Sequence, residues 1–171
     1  MTGWLAGVFL AGVISGFAGC STPQPAPAAE PPRRARVAVS PAMPDPKLTP
    51  GAVDRALTKA KLCDPSFHTG DVRRVSASTK KRVYAEYGRE PHKPACCEVD
   101  HLISLELGGS DAIANLWPQP YEPRPGAHEK DLVENWLHRE VCAGRISLDQ
   151  AQREIAADWF AVYRRMQQGE R

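Results

Sequence analysis

The sequence predicts an α+β fold in which a short strand pair is followed by two long helices. Three observations support this. The stretch from Cys97 to Gln119, CEVDHLISLELGGSDAIANLWPQ, holds two β-favouring segments, near 98–103 and 115–117, separated by the Gly108-Gly109 turn. Leu132, Val133, Trp136, Leu137 and Val141 lie at helical spacing and form an apolar stripe over about 127–142. Ala151, Ile155, Trp159 and Val162 repeat the same spacing over a last helix.

With 171 residues, 42% of them hydrophobic, the chain supports one globular domain and an appendage. Residues 3–19 carry no charge and end at Phe17-Ala18-Gly19-Cys20. This reads as a secretory apolar region with small residues before a cleavage point. Cys20 after Ala-Gly resembles a bacterial lipobox and is the candidate lipidation site, although the preceding MTGW has no Lys or Arg. The alternatives are a plain signal peptide or an uncleaved anchor, since 17 apolar residues lie at the short edge of a membrane span. Each route exports the domain to the cell envelope, in the periplasm or at the cell surface. A Pro/Ala-rich tether spans 21–47, too poor in large apolar residues to offset its ordering entropy. Its Arg33, Arg34 and Arg36 read as a solvated charge run, with contact to anionic lipid or cell wall as the alternative.

The domain is expected to cover 48–171. Residues 1–47 hold four of the 22 basic side chains (Arg33, Arg34, Arg36, Lys47) and two of the 20 acidic ones (Glu30, Asp45), so the domain carries 18 of each. A neutral domain excludes strong nonspecific binding of nucleic acid by bulk charge, and any such contact must be local.

Thr49-Pro50, as N-cap and first-turn proline, with Val53, Leu57 and Ala60 on one face, predicts a short helix through about Lys61. Val72 and Val75 suggest a short strand after a loop. A second helix is expected from about Ser78 to Tyr87, with Val83, Tyr84 and Tyr87 inward and Gly88 as its stop. Arg73, Arg74 and Lys80, with Lys81 and Arg82, are candidate contacts to a phosphate backbone or else a solvated helix start. Ser147 with Gln150 forms a capping-box pattern at the start of the last helix, which ends near Gln168-Gly169.

The chemistry centres on Asp100 and His101. Phosphodiester cleavage needs positive charge on the phosphate oxygens and a base for water; Asp100 offers a hard oxygen ligand and His101 an imidazole titrating near neutrality. Adjacent strand residues point to opposite faces, so the two converge only if the strand ends or bulges there. Asn115 offers an acceptor and a donor, either to fix the loop or to orient the imidazole.

The Asp100-His101 pair, the LELGGS turn, Asn115-Leu116-Trp117-Pro118 and a following helix with His128 resemble the HNH endonuclease family, over roughly residues 48–165. The resemblance implies a ββα-metal hairpin and helix. It further implies His101 as general base, Asn115 as its structural asparagine, and Asp100 and His128 as ligands of a divalent ion. It leaves the metal open among Mg, Mn, Ni and Zn. No CxxC pair flanks the site, which argues against the zinc-stapled variant. The implied activity is metal-dependent hydrolysis of DNA, or of RNA, with Arg73, Arg74 or Lys80 on the backbone and no small-molecule cofactor. The alternative is an envelope binding or structural module with little turnover. His128 without the motif would read as a capping or surface residue, and His138, near a helix C-terminus, as structural.

After Cys20, four cysteines allow three full pairings. Export favours disulfides. Similarity to the paired cysteines of this HNH subgroup selects Cys63–Cys142. Cys96 and Cys97 are left as a vicinal bond or two free thiols; with a histidine their spacing fits no usual zinc site.

Overall fold

The strand pair forms where the β-favouring residues lie, and the helices pack beneath it. A computed structural model describes residues 41–89 and 96–169, all within one compact unit. The signal and lipobox segment with Cys20, and the tether through residue 40, lie outside the described residues. Among the described residues, no helix is long and apolar enough to cross a membrane. The fold is mixed α+β: α1 (Lys59–Leu62), α2 (Thr69–Val72), α3 (Ala77–Glu86), β1 (Cys97–His101), β2 (Leu116–Pro120), α4 (Ala127–Cys142) and α5 (Leu148–Gln167).

β1 and β2 pair antiparallel, with Cys97 opposite Pro120, Asp100 opposite Trp117 and His101 opposite Leu116. Both strands are shifted slightly from the expected ranges. β1 stops at His101 because Leu102 N already donates to Asn115 O, and the chain then enters a tight turn over Leu105–Leu107. α4 has the expected limits. Gly126 precedes it, and Glu129 Oε2 accepts from Gly126 N at 2.7 Å. Val133, Leu137 and Val141 are buried on its inner face, and Trp136 packs partly against them. Leu132, expected in that stripe, is 52% exposed: it lies one position off the row that faces α5.

α5 begins as expected, Ser147 Oγ accepting from Gln150 N at 3.0 Å. The reciprocal half of the capping box is absent, because the Gln150 side chain donates instead to Glu154. The helix is kinked at Asp158, whose φ of −163° and ψ of 87° are not helical. Asp158 Oδ1 accepts from Ala161 N at 2.9 Å, so it caps the second half. Trp159, immediately beyond, is fully buried with Ala151, Ile155 and Val162 against α4. Each large apolar side chain so buried contributes about 1.5–3 kcal/mol.

Three sequence expectations are corrected. The helix predicted through Lys61 is confined to α1. Residues 49–55 form a strap across the loop that follows β1: Thr49 Oγ1 donates to Leu116 O at 2.9 Å, Gly51 N to Ala114 O at 2.9 Å, and Val53 bridges Gly109. These long-range bonds outweigh the local helix signal, and Gly51 takes φ 91°. The strand predicted around Val72 is instead the single turn of α2, ending before an extended Arg73. Finally, folded structure begins before Leu48. Pro41 and Pro44 are buried, and Asp45 N donates to Tyr87 Oη at 3.2 Å.

α3 matches expectation to within a residue, capped by Ser76, whose Oγ accepts from Thr79 N, and stopped by left-handed Gly88. Cys63 and Cys142 are joined, and Cys96–Cys97 form the vicinal pair. The long bond links the end of α1 to the end of α4 across a separation of 79 residues. Closing so long a loop stabilises by about 4 kcal/mol in the chain-entropy model. Replacing both Cys63 and Cys142 by Ala is expected to lower the unfolding free energy by about that amount. Denaturant titration of the double variant beside the parent chain is the check.

Candidate active site

The site is organised by Asn115, at the entrance to β2. Its side chain is fully buried and all of its bonds go to backbone. Asn115 Nδ2 donates to Ile103 O at 3.0 Å and Ser110 O at 2.9 Å; Oδ1 accepts from Ile103 N at 2.9 Å and Ala52 N at 3.3 Å. One amide thus ties together the strap, the end of β1 and the loop that returns to β2. Of the two roles open to it, Asn115 takes the loop-fixing one and does not touch the imidazole. Gly109 completes the closure: a Cβ there would lie 1.7 Å from Ile103 O, so glycine is required.

The closed loop sets Asp111 against His101. His101 Nε2 and Asp111 Oδ1 are 2.7 Å apart, with the imidazole 2% exposed. An ionised carboxylate only accepts, so Nε2 carries the hydrogen and Nδ1 is left as the acceptor nitrogen. Burial pushes the His101 imidazole below its usual range; the Asp111 hydrogen bond and the Asp100 charge oppose this, and Arg73 reinforces it. The net direction favours the neutral form. Asp111 Oδ2 also accepts from Arg74 N, which pins α2's exit to the same loop.

Asp100 points the other way, as strand alternation requires. Its Oδ2 accepts from Lys130 Nζ of α4 at 2.8 Å. The Lys130 side chain is 0% exposed and donates also to His101 O at 2.7 Å and to Glu134 Oε1. Burial alone would lower this lysine, but the Asp100 and Glu134 carboxylates outweigh it and hold the ammonium above the ordinary lysine value. Burial pushes the Glu134 carboxyl up, against the pull of Lys130.

His128 is exposed and packs against Tyr121, ring centroids 5.1 Å apart and planes tilted by 31°; Tyr121 Oη in turn donates to Glu98 Oε2 at 3.0 Å. His128, Asp100 and His101 are not gathered into a metal-ligand group. Asp100 Oδ2 is taken by the Lys130 ammonium, so a divalent ion held there would share its carboxylate with a cation already in contact with it. Among the described residues, the one His/Cys/Asp/Glu group with metal-holding spacing is Cys63, His138 and Cys142, whose ligand atoms lie within 4.8 Å of one another. Its two sulfurs are joined by the disulfide, so they offer thiolates only in the reduced chain. His138 Nε2 is 3.0 Å from Leu62 O, consistent with the structural role expected for it.

The basic residues divide between two grooves. Arg73, Lys80 and Lys81 line a cavity of about 410 Å³ along β1, with Tyr84, Glu98 and Val99. Arg74 lies in a separate cavity of about 400 Å³ with Arg55 and Asp111. Sequence reasoning misses Asp111, Lys130 and Glu134. The i, i+4 spacing of Lys130 and Glu134 on the inner side of α4 is the available signal. Asp111 has none, because its position depends on the loop closure.

Comparison with protein-family models, with curated proteins and with solved structures finds no match in any of the three.

Asn115→Ala leaves two carbonyls and two amides of a buried loop without their partner. It is expected to cost about 3 kcal/mol or more of stability, read as a shifted denaturant midpoint. His101→Ala, which removes the Asp111 bond but keeps the Asn115 bonds, is expected to cost less.

Proposed function

We propose that the chain is an exported nuclease of the HNH type, lipid-anchored in the cell envelope through Cys20, that hydrolyses the phosphodiester backbone of DNA. The observation that carries this is the His101–Asp111 pair, 2.7 Å apart at the end of β1, with Arg73 near enough for its charge to act on the imidazole. The strand-turn-strand-helix order of β1, β2 and α4, and the buried asparagine after the Gly108-Gly109 turn, support the same family.

In the proposed step His101 Nδ1 takes a proton from water, and the hydroxide attacks phosphorus. The bond from phosphorus to the 3′ oxygen breaks, and that oxygen takes a proton from solvent. Asp111 holds the ring in the required tautomer and steadies the imidazolium that forms. Arg73 and Lys80 hold the phosphates from the groove beside β1, and Arg74 reaches the backbone from the Asp111 side. No step is routed through a divalent ion, because Asp100 is paired with Lys130 and His128 is turned to Tyr121.

A second reading is a nucleic-acid-binding module of the envelope without turnover. The 2% exposure of the His101 imidazole favours it, since a base must reach its water. Plasmid nicking separates the two. The nuclease is expected to nick and His101→Ala to lose at least about 100-fold in rate while still binding DNA. A folded wild type that binds DNA and never nicks it supports the module.

Replacing Arg73, Lys80 and Lys81 by Ala is expected to weaken DNA binding without regard to sequence. Every phosphate that goes unneutralised should reduce the slope of log affinity against log salt by about 0.9. Fluorescence anisotropy of a labelled duplex across a salt series measures it; an unchanged slope would place the nucleic acid elsewhere.

A further inference from the structure

Three oxygens surround the Lys130 ammonium: Asp100 Oδ2 at 2.8 Å, His101 O at 2.7 Å and Glu134 Oε1. Two carboxylates and a backbone carbonyl are the hard oxygen donors a divalent cation takes. Here they converge on one point beneath β1, and a point charge from α4 fills it. An ammonium has three N–H donors, so the three acceptors use it completely. The side chain is 0% exposed and all three of its donors are used, so a second cation at the same oxygens would have to displace the ammonium or share its carboxylates. The Asp100 and Glu134 side chains are 17% and 12% exposed, so little of either is open to another ligand.

We infer that the Lys130 ammonium is a built-in cation that occupies a metal-type oxygen site formed by Asp100, Glu134 and the His101 carbonyl, and closes it to divalent ions. The site therefore carries its positive charge in the chain itself. A divalent ion at Asp100 would meet that charge at contact range in a water-poor setting, where like-charge repulsion is strong. For activity, the consequence rests on the nuclease proposal: cleavage should survive a chelator. The cation site itself does not depend on that proposal.

The test uses the full oxidised chain in detergent and Mn2+ as the probe, with bound and free ion separated by electron paramagnetic resonance. The wild type is expected to show no saturable Mn2+ site that depends on Asp100. Lys130→Ala empties the position and is expected to gain one Mn2+ site, at least tenfold tighter than any in the wild type, with a metal-dependent rise in melting temperature. Asp100→Asn in that background should remove it. A variant that folds only when Mn2+ is present supports the same conclusion. Stoichiometric Mn2+ binding by the wild type, abolished by Asp100→Asn, would overturn it and can be read even if Lys130→Ala fails to fold. So would a folded Lys130→Ala chain that takes up no Mn2+. All of these are read without cleavage, so a protein that never nicks DNA leaves the cation site standing and removes only the nuclease proposal.

Discussion

A lysine ammonium with none of its side chain exposed must be satisfied inside the protein, and that demand shapes everything above α4. Removing such a charge from water costs several kcal/mol, which only close partners can offset. Lys130 has Asp100 from β1, Glu134 from its own helix and the carbonyl of His101. The bond to that carbonyl fixes the end of β1 against α4. Because neighbouring strand residues face opposite ways, fixing Asp100 toward α4 sends the His101 ring toward the returning loop, where Asp111 meets it.

The second constraint is Asn115. Its amide joins the strap, the strand end and the loop, and Gly109 lets the loop pass against Ile103 O with no side chain in the way. The two constraints act on either side of His101. Lys130 holds its backbone and Asn115 holds the loop that carries its partner, so the imidazole is set in orientation and in tautomer by the fold itself. Preorganisation of that kind is what a general base requires.

Much of this is legible in the sequence. The apolar spacing gives α4 its limits; Ser147 marks α5; and the glycine turn between two β-favouring runs gives the strand pair. The Cys63–Cys142 bond comes from resemblance. What stays hidden depends on contacts far apart in the chain. Thr49-Pro50 carries a helix-start signal, yet Thr49 spends its hydroxyl on Leu116 and Tyr87 because β2 and α3 lie beside it. Lys130 lies between charged neighbours in the sequence, Glu129 and Asp131, and nothing local shows that Asp100 comes to meet it. Asp111 gains a role only once Gly109 has closed the loop. His128 stands out as a histidine in the first turn of α4, but that position faces Tyr121 while Lys130, two residues on, faces the strand. The kink at Asp158 is masked by an unbroken apolar repeat on both sides of it.

Together these constraints hold His101 as a neutral imidazole with Nε2–H on Asp111 and Nδ1 free to accept a proton. Nitrogen-15 NMR of the histidine rings reports protonation and tautomer directly, with Asp111→Asn as the assigning variant. His101 is expected to be neutral at pH 7 in the Nε2–H form, and Asp111→Asn to disturb that state. A His101 that is charged at pH 7, or that carries its proton on Nδ1, would mean that the ring is not set as a base.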